Sequence, residues 1–389
     1  MNGGAEATSS RLPPMRAALV HDWFAGLYGS ERVVDAMRTG LFDPTTPPDI
    51  FTFHAAHEVL PPELAAAIVR ESRLASLPGI RQRDRDQGRF RWLLPLMPHY
   101  FNRLDLGGYE LVIASSHACA INASPPSDAL YIVYSHTPMR YVWMPDLEHE
   151  RLRGVKGLAV RAFAARLRRI DRQAAQRADG LIANSTAVRE RIERFYGREA
   201  DVIPPPVDVD ALDSHAEKEP GRFLWVHRLV DYKRPELVME AFRGSRHTLT
   251  MVGVGPLEER LRANLPPNVE LRGWVPQDEL ERLYERSSGF IHVAEEDFGI
   301  AIVEALAAGT PVIALDRGGA RDVVRPERDG LLIAEPTLPA LREAIDAVAS
   351  GSWDREALAR RADEFSRARF LERMYAYVRR LIDGPHRRT

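Results

Sequence analysis

Pro204-Pro205-Pro206 divides this chain into two series of short apolar segments that alternate with helical patterns. Proline can continue neither a helix nor a central strand, so three in a row act as a semi-rigid spacer. Before the spacer, strands are predicted at 16–20, 50–52, 111–114, 130–134 and 180–183. Apolar residues fall at helical spacing over 31–37 and 155–177. After it, predicted strands at 223–226, 248–252, 269–271, 289–292, 311–314 and 330–333 alternate with helices at 235–242, 257–265, 277–286, 301–308 and 338–349. Such alternation builds parallel sheets covered by helices on both faces. The chain has 389 residues, and single cores stop growing near ~250–300 residues. The expected fold class is therefore α/β, with two doubly wound, Rossmann-like domains facing across a cleft. Ligands of such sheets bind beyond the carboxyl ends of the strands.

Composition narrows the classes. A net charge of −2 argues against a nucleic-acid partner. The one cysteine, Cys119, cannot form an internal disulfide, which points to a reducing compartment and excludes a cysteine-rich zinc site. No run of ~18 apolar residues is present to span a membrane. Residues 1–14, MNGGAEATSSRLPP, lack the basic and apolar regions of a signal peptide and read as a disordered tail, with folding expected from Met15. A cytoplasmic location is the expectation.

Five segments offer chemistry. In 294–309, AEEDFGIAIVEALAAG, a strand runs through Glu295, Glu296 and Asp297 into a helix. The helix start could hold a sugar phosphate on backbone N–H groups while Glu296 accepts hydrogen bonds from sugar hydroxyls. A solvated acidic loop is the other reading. Arg228, Lys233 and Arg234 follow a predicted strand, where cations suit a pyrophosphate; a solvated basic loop is the alternative. Gly253-Val-Gly255-Pro256 has the look of a phosphate loop, although any tight strand-to-helix turn uses glycine. His136 ends a strand in YSHTP, as a structural residue or a catalytic one, and His117 after Ser115-Ser116 is a weaker case of the same kind. Finally, 151–177 carries nine Lys or Arg against one Asp, with apolar Leu158, Val160, Phe163, Leu167 and Ile170 between them. It could lie on an anionic membrane surface or pack on its own domain. The Arg-rich run 81–92 could extend the same basic face.

Jointly these features resemble the retaining glycosyltransferases of the GT-B fold, family 4, and within it the WbaZ-like mannosyltransferases. The resemblance runs from Met15 onward through HDWFAGLYGSERV, YSHTPMRYVW, ANSTAVRERI, VIPPPVD, HRLVDYKR, VGVGP, AEEDFGIAIVEA and GGARDVV. Glu296 and Glu304 match the family's E-x7-E spacing. By this resemblance, Arg228 and Lys233 bind the donor pyrophosphate. Glu296 and the backbone of Phe298, Gly299 and Ile300 hold the donor sugar, and Glu304 hydrogen-bonds the ribose. Gly29 lets backbone approach the phosphate, Gly253 and Gly255 belong to the donor site, and His136 sits at the reacting centre. An N-terminal domain of 15–205 would be joined by the C-terminal helix within 367–389, with a donor domain at 206–366. GDP-mannose is the implied donor, and the acceptor a lipid-linked saccharide of bacterial surface polysaccharide: O-antigen, exopolysaccharide or capsule. The match is imperfect at Ser30, where the family has a second glycine, and at Arg321-Asp322, where it commonly has Glu.

The implied reaction transfers a hexose with retention of configuration, and its main need is to stabilise charge on the departing pyrophosphate. Arg228, Lys233 and helix N-termini can meet that need. Asp208-Val-Asp210, the one closely spaced aspartate pair considered as a metal site, fits the linker better. Metal-independent catalysis without a cofactor is therefore expected. Rival readings are a UDP-hexose donor, a GT-B-shaped sugar-nucleotide epimerase and a non-catalytic scaffold. On the membrane reading, the basic segment refines the expected location to a peripheral one on the inner face of the plasma membrane.

Overall fold

The computed structural model describes residues 11–75, 77, 90, 93–144 and 154–384, with the side chains of the helix at 154–177 described from 163 on. The chain forms two compact units, 1–206 with 370–389, and 207–369.

The N-terminal unit carries seven strands: β1 (Ala17–His21), β2 (Asp49–Thr52), β3 (Ile68–Arg70), β4 (Leu111–Ser116), β5 (Leu130–Ser135), β6 (Gly180–Ala183) and β7 (Asp201–Val202). They pair in parallel in the order β3-β2-β1-β4-β5-β6-β7. Every residue of β1, β4 and β5 is buried, because helices cover both faces of a parallel sheet. Alternate side chains serve the two faces. Ala18, Val20, Val112, Ala114, Tyr131 and Val133 pack on one side, and Ala17, Leu19, Leu111, Ile113, Leu130 and Ile132 on the other. The latter face is closed by the helix Arg367–Ile382, whose Phe370, Met374, Tyr377 and Val378 recur at helical spacing.

The C-terminal unit carries β8 (Glu219–Val226), β9 (Thr248–Val252), β10 (Val269–Gly273), β11 (Ser287–His292), β12 (Val312–Leu315) and β13 (Gly330–Ile333). Their parallel order is β10-β9-β8-β11-β12-β13. In both units the chain winds outward from one central strand, then returns to its other side. The reversal falls between β1 and β4 in one sheet and between β8 and β11 in the other. Each unit is thus doubly wound, with a crevice beyond the carboxyl ends at its switch point.

Several details differ from expectation. The first helix is Gly29–Gly40, so Gly29 opens a helix and does not sit in the loop before it. Leu12 is buried and its N–H donates to Leu41 O at 2.9 Å, so packing starts before Met15. The edge strands β3 and β7 were not predicted: they are short and lack buried residues, which removes the apolar run that marks a strand. The helix predicted over 257–265 is confined to Glu258–Arg262. Residues 81–89 and 91–92 of the Arg-rich run lie outside the described residues, as do the side chains of 151–162. Of the remaining basic helix, Arg168 and Arg172 lie 5.7 and 5.5 Å from the Trp143 ring, so two of its cations serve their own domain.

Truncating Phe370 to Ala would open a cavity against Tyr134, whose ring centroid is 6.0 Å away. A loss of about 3–5 kcal/mol in chemical denaturation is expected. A change below 1 kcal/mol would mean that the C-terminal helix is not part of the cooperative core.

Candidate active site at the sheet switch points

In the C-terminal unit, β8 and β11 end beside each other and deliver two histidines. His292 is the last residue of β11 and His227 follows β8. Their rings pack at a centroid distance of 4.5 Å, tilted by 58°. The chain after His227 passes through Arg228 into a short turn, Asp231–Lys233, closed by Lys233 N–H to Val230 O at 3.0 Å. Arg234 then adopts a left-handed conformation (φ 57°) before Pro235 starts the next helix. That conformation is costly for a residue with a Cβ. It reverses the chain where Lys233 turns inward, and only 5% of the Lys233 side chain is exposed.

Lys233 Nζ meets Glu296 Oε1 in an ion pair. Glu296 stands in the loop after β11, with Oε2 3.3 Å from His292 Nε2 and Oε1 3.9 Å from His227 Nδ1. The helix Ile300–Ala307 follows, with Gly299 at its N-cap in a left-handed conformation (φ 98°) that favours glycine. Phe298 turns its ring into the core against Phe365 at 5.6 Å, leaving its backbone in the loop. One turn into the helix, Glu304 Oε2 accepts a hydrogen bond of 2.9 Å from the buried Tyr284 hydroxyl. Glu296 and Glu304 therefore hold different partners.

The glycines around this loop have packing reasons. A side chain at Gly253 would strike His227 O, and one at Gly255 would lie 2.8 Å from Leu229 N. Both let the β9 loop close on the segment that carries Arg228 and Lys233. Gly319 donates to Glu296 O at 2.9 Å, and a side chain at Gly318 or Gly319 would strike the backbone of 296–298. These last two glycines, with His227, His292 and Tyr284, also gather around this loop; none was among the candidate site residues of the sequence, although His227, Gly318 and Gly319 stand in the quoted motifs HRLVDYKR and GGARDVV. Their signal was faint: each lies at a strand end or on a helix face where an ordinary core residue would look the same.

The N-terminal unit has its own cluster at its switch point. His21 ends β1, and its Nδ1 lies 3.2 Å from Ser115 Oγ at the end of β4; Ser115 Oγ in turn lies 2.8 Å from His136 Nε2, just past β5. Burial pushes the His21 imidazole down to about 3 and His136 well below its ordinary value, so both are neutral. The buried Asp22 carboxylate accepts from the backbone N–H groups of His117, Ala118, Cys119 and Ala120. His117 Nδ1 is 3.4 Å from the same carboxylate.

Ligand atoms of His227, His292 and Glu296 lie within 4.8 Å of one another, a donor set able to take a divalent ion. In the structure the Lys233 ammonium supplies the positive charge on Glu296.

Residues 28–211 match the family described as Glycosyltransferase Family 4, and residues 211–365 match Glycosyl transferases group 1. The chain belongs to glycosyltransferase family 4. Its two Rossmann-like units are those of the GT-B fold. Anabaena HepE, solved with UDP and glucose, superposes with a TM-score of 0.66 at 18% identity, covering 94% of this chain and 100% of that one. The lipopolysaccharide outer core galactosyltransferase WaaB gives 0.65 at 16% identity over 95% and 99%. Among curated relatives, a GDP-mannose-dependent alpha-mannosyltransferase of Mycolicibacterium smegmatis is 35% identical over 196 residues, 46% of this chain and 49% of that protein. The D-rhamnosyltransferase WbpZ of Pseudomonas aeruginosa is 28% identical over 159 residues, 39% and 42% of the two chains. This family 4 chain thus spans about half the length of those relatives or less.

The buried imidazoles make the fold acid-sensitive. Burial and the Lys233 ammonium hold His227 and His292 well below 6.5. A histidine depressed in the folded state stabilises fully above its unfolded value and loses that contribution as pH falls through the window below 6.5. The limiting slope is about 1.4 kcal/mol per pH unit for each such group. Replacing His292 by Phe should therefore flatten the fall in unfolding free energy between pH 6.5 and 5. Equal slopes in variant and wild type would mean that His292 is charged in the folded protein.

Proposed function

We propose that this chain transfers a hexose from a nucleoside diphosphate to an acceptor hydroxyl with retention of configuration. The observation that carries it is the placement of Glu296 and Lys233 together at the switch point of the C-terminal sheet, beside a helix start. The cations suit a diphosphate and the carboxylate suits sugar hydroxyls. In this reading Arg228 and Lys233 are catalytic because they take the charge that grows on the departing phosphate. Glu296 and the backbone of Phe298, Gly299 and Ile300 hold the sugar, while Glu304 holds the ribose with Tyr284 fixing its carboxylate. Gly253 and Gly255 keep the phosphate side of the site close to backbone. In the N-terminal unit, Gly29 opens a helix whose first N–H groups suit phosphate, and His136 is the catalytic residue that meets the donor sugar. The acceptor attacks from the face the phosphate leaves, and that phosphate accepts the acceptor proton.

The donor is GDP-mannose in this proposal, supported by the mannosyltransferases among the relatives. The acceptor is a lipid-linked saccharide of bacterial surface polysaccharide, with the enzyme in the cytoplasm and the basic helix touching the anionic inner face of the plasma membrane. An O-antigen chain mannosyltransferase of Escherichia coli and an amylovoran biosynthesis glycosyltransferase of Erwinia amylovora are among the relatives that support this. No described helix is long and apolar enough to cross a membrane.

A thermal-shift panel of GDP- and UDP-sugars tests the donor. A ligand at one hundred times its dissociation constant adds about 2.7 kcal/mol of stability, so GDP-mannose should raise the midpoint clearly. Stabilisation by UDP-sugars alone would refute mannose and leave hexosyl transfer standing. Turnover should also survive EDTA; activity lost to EDTA and restored by Mn²⁺ or Mg²⁺ would refute metal-independent catalysis.

A further inference from the structure

His292 has no role in the reading above, yet it is a fully buried polar side chain of the site. Only 1% of it is exposed, and neither ring nitrogen has a hydrogen-bond partner among the described residues. Buried polar nitrogens are nearly always paired, so two orphans on one ring need a reason. Nε2 lies 3.3 Å from Glu296 Oε2, and a Cβ added at Gly299 would lie 3.7 Å from it. The ring therefore sits beneath the loop that carries both the acidic group and the helix start. His227 packs against it, with Nε2 also unpartnered.

The two oxygens of Glu296 face different neighbours. Oε1 is held by Lys233 and Oε2 points to His292. A diphosphate carries more negative charge than a carboxylate, and a lysine ammonium is a point charge with no fixed geometry of its own. A bound diphosphate would compete with Glu296 for Lys233. Glu296 would then lose its anchor at the moment when it has to hold the sugar.

Resting on the donor site proposed above, we infer that His292 is a positioning residue for Glu296. In its neutral form with the proton on Nε2, the imidazole donates to Oε2 and keeps the carboxylate aimed when the diphosphate draws Lys233 away. One carboxylate oxygen stays on the protein and the lone pairs of the other become free for sugar hydroxyls. Diphosphate recognition and sugar recognition are thereby coupled through one lysine, with His292 as the fixed point.

The test compares calorimetric binding of GDP with GDP-mannose, and of UDP with UDP-glucose, in wild type, His292→Phe and His292→Gln. Hydrogen bonds to charged groups contribute about 1.5–3 kcal/mol, so the affinity that the hexose adds to the nucleotide should fall about tenfold or more in His292→Phe. Binding of the bare diphosphate should stay within about twofold, since a merely structural role would weaken both alike. His292→Gln, which still offers an N–H, should recover much of the hexose increment. The inference is overturned if both affinities fall together, if His292→Phe keeps the full increment, or if His292→Gln recovers none. It is also overturned if Zn²⁺ alone binds wild type one-to-one and His292→Phe not at all, because the three groups would then be a metal site. Should no nucleoside diphosphate bind wild type, the donor-site reading itself fails, and the positioning role with it.

Discussion

A parallel sheet brings every strand in from the same end, so all its carboxyl ends lie along one edge. Where the chain reverses its winding direction, two neighbouring strands send their following loops apart and leave a crevice. Both sheets of this protein obey that constraint, and both place their unusual polar residues there. His21, Ser115 and His136 gather at the carboxyl ends of β1, β4 and β5. His227, His292, Lys233 and Glu296 gather beyond β8 and β11.

Electrostatics then settle how these groups coexist. A buried lysine is expensive unless it is paired, and removing one partner of such a pair costs about 3–5 kcal/mol. Glu296 neutralises Lys233, and the nearby ammonium in turn disfavours protonation of His227 and His292. Two neutral imidazoles thus lie beside the Lys233–Glu296 ion pair. In the N-terminal unit the buried Asp22 is held by four backbone N–H groups, an arrangement that suits an anion, although burial pushes its carboxyl upward. The two crevices use different means, a side-chain cation in one and backbone dipoles in the other.

Much of this was legible in the primary structure. β1, β4 and β5 show as apolar runs because they are buried along their whole length, β8 and β11 show only by their buried stretches 223–225 and 289–292, and the proline run marks the change of unit. Glu296, Glu304, Arg228 and Lys233 could be picked out from their places after predicted strands and from the spacing that resembles family 4. Less visible were β3 and β7, whose exposed edge residues carry no periodic signal. Gly318 and Gly319 were visible only as part of the family-like GGARDVV, and their close approach to the backbone of 296–298 is a tertiary contact that no local pattern encodes.

The sequence by itself determined the alternation of strands and helices, the division at the prolines and the residue types available for anion and sugar chemistry. These follow from local periodicity and from the conformational limits of proline and glycine, which act over a few neighbouring residues. Only the tertiary structure decided that Lys233 turns inward onto Glu296, that Tyr284 holds Glu304, and that the buried His292 lies under Glu296 with Nε2 against its carboxylate. Lys233 and Glu296 are far apart along the chain, and no local rule relates them. They meet because β8 and β11 are neighbours in the sheet, a pairing set by burial of the whole core.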